Sequence, residues 1–219
     1  MGKLIVIDGL DGSGKTTQFD IIREKLSGTK RVKAISFPDY DNPSSALVKM
    51  YLGGELSKDA DGVNAYAASS FYAVDRYASY KMFWEENYKN GDLVLASRYV
   101  SSNAIHQMVK LDESEWDAYL KWLSDYEYGK LGLPVPNLVI FLDMPVEISQ
   151  KLMSERYGGD ESKKDIHEAN VKYLQACRKS ALYAAERLGW KIVDCSADGK
   201  PLTVEEINGK LLQLINEVL

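Results

Sequence analysis

Eight consecutive residues, Gly9-Leu10-Asp11-Gly12-Ser13-Gly14-Lys15-Thr16, fit the pattern G-x-x-x-x-G-K-[ST]. Lys3 to Asp8, before them, is an apolar, β-branched run of the kind found in a buried parallel strand. Thr17 to Leu26, after them, spaces Phe19, Ile22 and Leu26 along one helical face. A strand, a glycine-rich turn and a helix beginning at the lysine aim several backbone N–H groups at one point. The helix dipole adds positive potential there. Lys15 then reaches the terminal phosphates of a nucleoside triphosphate, and the Thr16 hydroxyl is placed to hold Mg²⁺. The chemistry open to such a loop is phosphoryl transfer or hydrolysis, with Gly9 through Thr17 as the nucleotide-binding stretch.

Further candidates stand at the ends of other elements. Ser97-Arg98-Tyr99 follows the apolar run Leu93-Val94-Leu95-Ala96. An arginine there grips an anion with two parallel N–H bonds; the alternative is a surface ion pair. Asp75-Arg76 lies in a helical stretch beside Phe71, Tyr72 and Tyr77. Aromatics at helical spacing are more often core than ligand platform, but an arginine among them suits the flat polar edge of a ligand. Asn103, His106 and Gln107 share one turn of the next helix, where His106 alone would read as a surface or core histidine. Arg156, Lys163 and Lys164 border the polar stretch Tyr157-Gly158-Gly159-Asp160-Glu161-Ser162. That stretch is either a solvated charged loop or a mobile lid at about 155–165 that carries cations over a triphosphate.

The elements that must position these groups alternate along the chain. Arg31 to Ser36 is a second strand, ended by the turn-rich Phe37-Pro38-Asp39-Tyr40-Asp41-Asn42-Pro43. Pro43 to Leu52 is a helix stopped by Gly53-Gly54, and Asp59 to Tyr88 a long helical stretch. A third strand covers Leu93 to Ala96. Helices follow over Ser101 to Val109 and Ser114 to Tyr126, then a loop over Gly132 to Pro136. Asn137 to Leu142 is a fourth strand, Val146 to Ser154 and Asp165 to Leu188 are helices, Lys191 to Cys195 a fifth strand, and Thr203 to Leu219 a closing helix. The alternation predicts one α/β domain over residues 1–219, a five-stranded parallel sheet with helices on both faces. Ligands of such sheets lie beyond the C-terminal strand ends, which is where the candidates fall.

The 219 residues carry a net charge of −5 and an acidic pI of about 5.2. This balance argues against nucleic acid or an anionic membrane as partner, while leaving room for a small anionic ligand. Cys177 and Cys195 have no metal spacing and read as reduced thiols of a cytoplasmic protein. No apolar run is long enough to span a bilayer, and no signal peptide precedes the first strand.

A phosphate loop serves small-molecule kinases, and it serves GTPase switches or partner-driven ATPases. The switch reading needs D-x-x-G and N-K-x-D motifs, whereas Asp143 is followed by Met144-Pro145-Val146. Two arginine sites and a basic lid instead suggest two anionic ligands and transfer between nucleotides. The chain as a whole resembles the thymidylate kinases. The resemblance is carried by Asp8-Gly9-Leu10-Asp11-Gly12-Ser13-Gly14-Lys15-Thr16-Thr17, by Phe37-Pro38-Asp39, by Tyr72-Ala73-Val74-Asp75-Arg76, by Ser97-Arg98-Tyr99, and by Pro136-Asn137-Leu138 running to Leu142-Asp143.

It implies ATP with Mg²⁺ as phosphoryl donor and dTMP as acceptor, and usually a homodimer. It also implies that Tyr72 stacks on the base and Arg76 bonds its edge, that Arg98 holds the monophosphate, and that Asp11 meets the 3′-hydroxyl. Asn103 contacts the base and His106 crowds the ribose 2′ position, with Phe37 and Gln107 completing the pocket. Lys15, Arg98, Arg156, Lys163 and Lys164 would be the catalytic cations. Three features depart from the family pattern: Tyr40 for an arginine, Ser97 for aspartate, and Tyr72 for phenylalanine (with Phe71 adjacent); some members carry an arginine inside the phosphate loop, and this chain resembles the form without one. A deoxynucleoside kinase of the same fold is the alternative; its uncharged acceptor would leave Arg98 without an anion.

Overall fold

The computed structural model describes residues 1–57, 62–156 and 170–219. Five parallel strands form the central sheet: β1 (Lys3–Gly9), β2 (Val32–Ser36), β3 (Leu93–Ser97), β4 (Leu138–Asp143) and β5 (Lys191–Asp194), in the order β2-β3-β1-β4-β5. β1 lies at the centre, with Ile5 opposite both Leu95 of β3 and Leu138 of β4. Both faces of β1 are buried, and alternate residues serve opposite layers. Leu4 and Val6 face a layer holding Trp84, Tyr99, Trp116 and Tyr119. Ile5 and Ile7 face Phe19, Ile22 and Leu26 of helix α1 (Lys15–Ser27) together with Ile207, Leu211 and Ile215 near the C-terminus. The period-two alternation inside a wholly apolar run is what a doubly covered sheet requires.

The remaining helices follow the expected alternation: α2 (Ala46–Leu52), α3 (Ala65–Ser79), α4 (Glu85–Lys89), α5 (Ser101–His106), α6 (Trp116–Ser124), α7 (Val146–Arg156), α8 (Val171–Leu188) and α9 (Val204–Val218). Boundaries differ where local hydrogen bonding overrides composition. The expected helix from Asp59 starts at Ala65, because the Asn64 side chain accepts from Ala67 N at 2.8 Å and caps it. Asn170 likewise caps α8 at Val171, accepting from Tyr173 N, while the expected start at Asp165 lies outside the described residues. Asn137 stands just before β4 and ties it to β1: its side chain accepts from Leu4 N at 2.9 Å and its N–H donates to Leu4 O.

Two wider turns interrupt the helical stretches. Tyr80–Trp84 is a π-helical segment joining α3 to α4, and Asp125–Lys130 is another that continues α6. After β5, Ser196–Ala197 and Lys200–Pro201 pair as a short antiparallel ribbon, β6 and β7. Among the described residues no helix is long and apolar enough to cross a membrane. The expected lid at 155–165 falls almost wholly outside the described residues.

Candidate active site

The loop between β1 and α1 has the backbone that its glycines allow. Gly12 and Gly14 have φ of 77° and 79°, a left-handed conformation that costs a residue with a Cβ about 1–2 kcal/mol. Gly14 stands at the N-terminus of α1, so the first N–H groups of that helix are free of intrahelical partners and available to an anion. Lys15 Nζ donates to Gly9 O at 2.9 Å, folding the side chain back across the loop. Burial, and then the Arg98 charge, pull the Lys15 ammonium down to about 8. The Ser13 hydroxyl is buried with no hydrogen-bond partner, an unmet polar group inside a loop built for phosphate oxygens.

Arg98 follows β3, next to β1, and is held in an unusual backbone conformation, with φ of 65°. Its N–H donates to Ile7 O at 3.1 Å. Nη2 donates to Asp11 Oδ1 at 2.7 Å, and Nη1 lies 2.9 Å from His106 Nε2. Burial opposes the Arg98 charge, but Asp11 and Asp8 outweigh it and the pKa is raised. Asp8 lies fully buried beneath, its Oδ1 3.9 Å from Arg98 Nη1. Its carboxylate accepts from Gly9 N and from the Ser101 and Ser102 hydroxyls, each of the latter at 2.7 Å. Arg98 is thus a braced, half-buried cation beside the phosphate loop, not a solvated ion pair.

From this point a cleft of about 350 Å³ runs toward α2 and α3. Asp11, Phe37, Tyr72, Arg76, Arg98, Asn103, His106 and Gln107 all line it. Every acceptor-side residue expected from the sequence is therefore gathered at one wall or another of a single cavity. Tyr72 lines the cleft and the adjacent Phe71 does not. The Tyr72 ring meets Tyr51 edge to face at 6.3 Å, and burial, with Tyr51 and Tyr40 nearby, raises its phenol well above the usual range. Tyr40, in the place of the family's arginine, also lines the cavity. The neighbouring Asp75 turns the other way and fixes the 37–44 loop, accepting from Asp39 N at 2.9 Å and Ser44 Oγ at 2.6 Å.

Among the residues that sequence reasoning missed are two aromatic ones. Tyr173, on the first turn of α8, lines the cleft, with its ring near-parallel to that of His106 and its hydroxyl donating to His106 O at 3.3 Å. Tyr51 of α2 lines it as well. The only signal for either was an aromatic on an amphipathic helix, which core residues share.

One oxygen donor at the loop suits Mg²⁺: Thr16 is exposed at the start of α1, whereas the Asp11 carboxylate is held by Arg98. Mg²⁺ binds through one or two protein oxygens together with substrate phosphates, so this donor fits it. Lys163 and Lys164 lie outside the described residues, as does the side chain of Arg156.

The family model described as thymidylate kinase matches residues 7–207. The thymidylate kinase of Mycobacterium tuberculosis (strain H37Rv) is 30% identical over 207 residues, covering 89% of this chain and 92% of its own. That of Schizosaccharomyces pombe is 26% identical over 219 residues, covering 99% and 93%. A solved thymidylate kinase from Candida albicans superposes with a TM-score of 0.70 at 22% identity, covering 99% of this chain and 92% of that one. The family model covers residues 7–207 and the Mycobacterium tuberculosis relative is 30% identical over 89% of this chain, so the chain belongs to the thymidylate kinase family.

Proposed function

We propose that the chain transfers the γ-phosphoryl group of MgATP to dTMP, giving ADP and dTDP. Membership of the family makes this a dTMP kinase; the roles of individual residues are our reading. The observation that carries it is the cleft itself. One end holds Arg98 and Asp11 against the phosphate loop, and the walls hold Tyr72, Arg76 and Asn103. A nucleoside monophosphate laid along it places its phosphate on Arg98 and its base against Tyr72, with the acceptor oxygen toward the loop.

In this reading Gly9 to Thr17 bind ATP, Lys15 neutralises charge on the transferred group, and Thr16 contributes an oxygen to Mg²⁺. The ion, when bound, supplies Lewis-acid stabilisation of the phosphoryl oxygens. Asp11 orients the sugar 3′-hydroxyl, and His106, with Tyr173 behind it, crowds the 2′ position. Arg156, Lys163 and Lys164 close over the triphosphate and supply the remaining positive charge. The protein works as a homodimer in the cytoplasm, with no nucleic acid or membrane partner.

The test is ADP release by the purified protein with each nucleoside monophosphate and with thymidine. Turnover is expected with dTMP, and Lys15→Ala should lower kcat by at least about 10²-fold. Turnover of thymidine without turnover of dTMP would replace this reading by a deoxynucleoside kinase.

A further inference from the structure

Glu127 is fully buried, yet no part of the phosphoryl-transfer chemistry uses it. It sits in the π-helical turn Asp125–Lys130, where the chain carries it inward behind the cleft wall. Its two oxygens take Arg76 Nε at 2.7 Å and Arg76 Nη2 at 2.6 Å. Asn103 Nδ2 donates to Glu127 Oε1 at 3.0 Å and to Ser69 O at 3.1 Å. A single carboxylate thus holds both residues that face the far end of the cavity.

The consequences follow from counting hydrogens. Both amide hydrogens of Asn103 point at acceptors, Ser69 O and the Glu127 carboxylate. Flipping the amide would set its oxygen against those two oxygens, so the amide is fixed and can offer the cleft only its Oδ1, an acceptor. Arg76 has five N–H groups. Two are held by Glu127 and one by Tyr99 O at 3.3 Å, which leaves donors for the cavity that Arg76 lines. The wall therefore presents a donor beside an acceptor in a set order. A pyrimidine with a 4-keto oxygen and an N3–H matches that order; cytosine, with a 4-amino group and a bare N3, opposes it at both atoms.

We propose that Glu127 is the positioning residue that sets this order and so selects a 4-keto pyrimidine over cytosine. The proposal rests on the reading of the cleft as the monophosphate site. Glu127→Gln keeps the shape but replaces one oxygen by an NH₂, which must face a donor of Arg76 or Asn103 and turn one of them.

The experiment measures kcat and KM for dTMP and dCMP on the unsubstituted protein, Glu127→Gln and Glu127→Asp. The expected result for Glu127→Gln is a raised KM for dTMP, kcat within about threefold, and a dTMP-to-dCMP preference reduced at least about 10-fold. Glu127→Asp, which keeps the charge, should recover part of that preference. A merely structural Glu127 would lower the melting temperature and the activity on both substrates together, with the preference unchanged, and that result overturns the proposal. If both variants fail to fold, a crystal structure of the unsubstituted protein with dTMP decides. Arg76 and Asn103 still on Glu127 supports the proposal; either one turned away from it overturns the proposal. If the unsubstituted protein shows no preference for dTMP, the functional reading falls and this inference with it. If it does and the variants keep the preference, only the inference falls.

Discussion

Arg98 Nη1 can donate to His106 Nε2 only if that nitrogen carries no proton, so the ring is neutral with its hydrogen on Nδ1. Burial, and then the adjacent Arg98 charge, push the His106 pKa down to about 3. An unfolded histidine takes up its proton near 6.5. Between those values the unfolded chain binds a proton that the folded chain refuses, so stability falls as pH falls from 6.5 toward 3. The contribution is at most about 1.4 kcal/mol per pH unit. His106→Asn removes the titrating group and should flatten this limb. Urea unfolding of both proteins at intervals from pH 7 to 4 provides the check, and parallel curves would show that His106 protonates freely in the folded state. At this scale the sequence was informative where a chemical group stands in the loop or helix that follows a strand, as Lys15, Arg98 and Asn103 do. It was uninformative for Glu127 and Tyr173. Glu127 lies in a π turn that obeys neither helical nor strand periodicity. Tyr173 reaches His106 from a helix 67 residues further along the chain.

Helix α7 bears directly on the phosphate loop, and this limits what side chain the loop can carry at Gly12. A Cβ on Gly12 would lie 2.9 Å from Ser149 O, 3.0 Å from Ser149 Cβ and 3.1 Å from Met153 Cγ. The first of these is helix backbone and cannot step aside without moving α7. Gly12 also has φ of 77°. An arginine placed here would therefore strain the loop and displace the helix instead of reaching the phosphates. Gly12→Arg should lower the melting temperature by at least roughly 2–8 °C, the equivalent of about 1–2 kcal/mol of left-handed strain in a domain of this size, and it should not raise kcat.

We propose that the charge then comes from Arg156, Lys163 and Lys164. An arginine supplied to a phosphoryl transfer is worth roughly 10³–10⁵ in rate. The Arg156→Ala, Lys163→Ala, Lys164→Ala triple variant should lose at least about 10² in kcat with little change in KM for dTMP. Near-native kcat in the triple variant would mean that the charge is met elsewhere. The elements themselves were largely legible, because each apolar run ends at a glycine, proline or polar cluster. Their starting points were less so. Composition extends the helix back to Asp59, whereas a single cap, Asn64, fixes its beginning, and capping is a property of one hydrogen bond and not of a window.

On the scale of the whole molecule, α3 serves two sides at once. Its inner side carries Arg76 and Tyr72 into the cleft, with Asp75 gripping the 37–44 loop. Its outer side leaves apolar groups in solvent: Val74 is 45% exposed, Tyr77 40%, and on the π-helical turn beyond it Met82 is 66% and Phe83 40% exposed. Scattered exposed apolar residues are ordinary, but four along one continuous stretch of helix are a candidate interaction surface. A second copy of the chain is the occupant we propose, and a stable pair would bury about 1,200–2,000 Å² in total. Tyr77→Glu with Phe83→Glu puts two like charges on each side of such a face, where they are costly to desolvate. In sedimentation velocity the unsubstituted protein should run at twice the 24.6 kDa chain mass and the double variant at the single mass. If the proposed interface and the cleft wall lie on opposite sides of α3, separating the copies should also loosen the acceptor site. KM for dTMP should then rise more than KM for ATP, whose loop lies between β1 and α1. An unsubstituted protein that sediments as a monomer would remove the dimer, and a monomeric variant with both KM values unchanged would show that α3 holds its inner side without help from a partner.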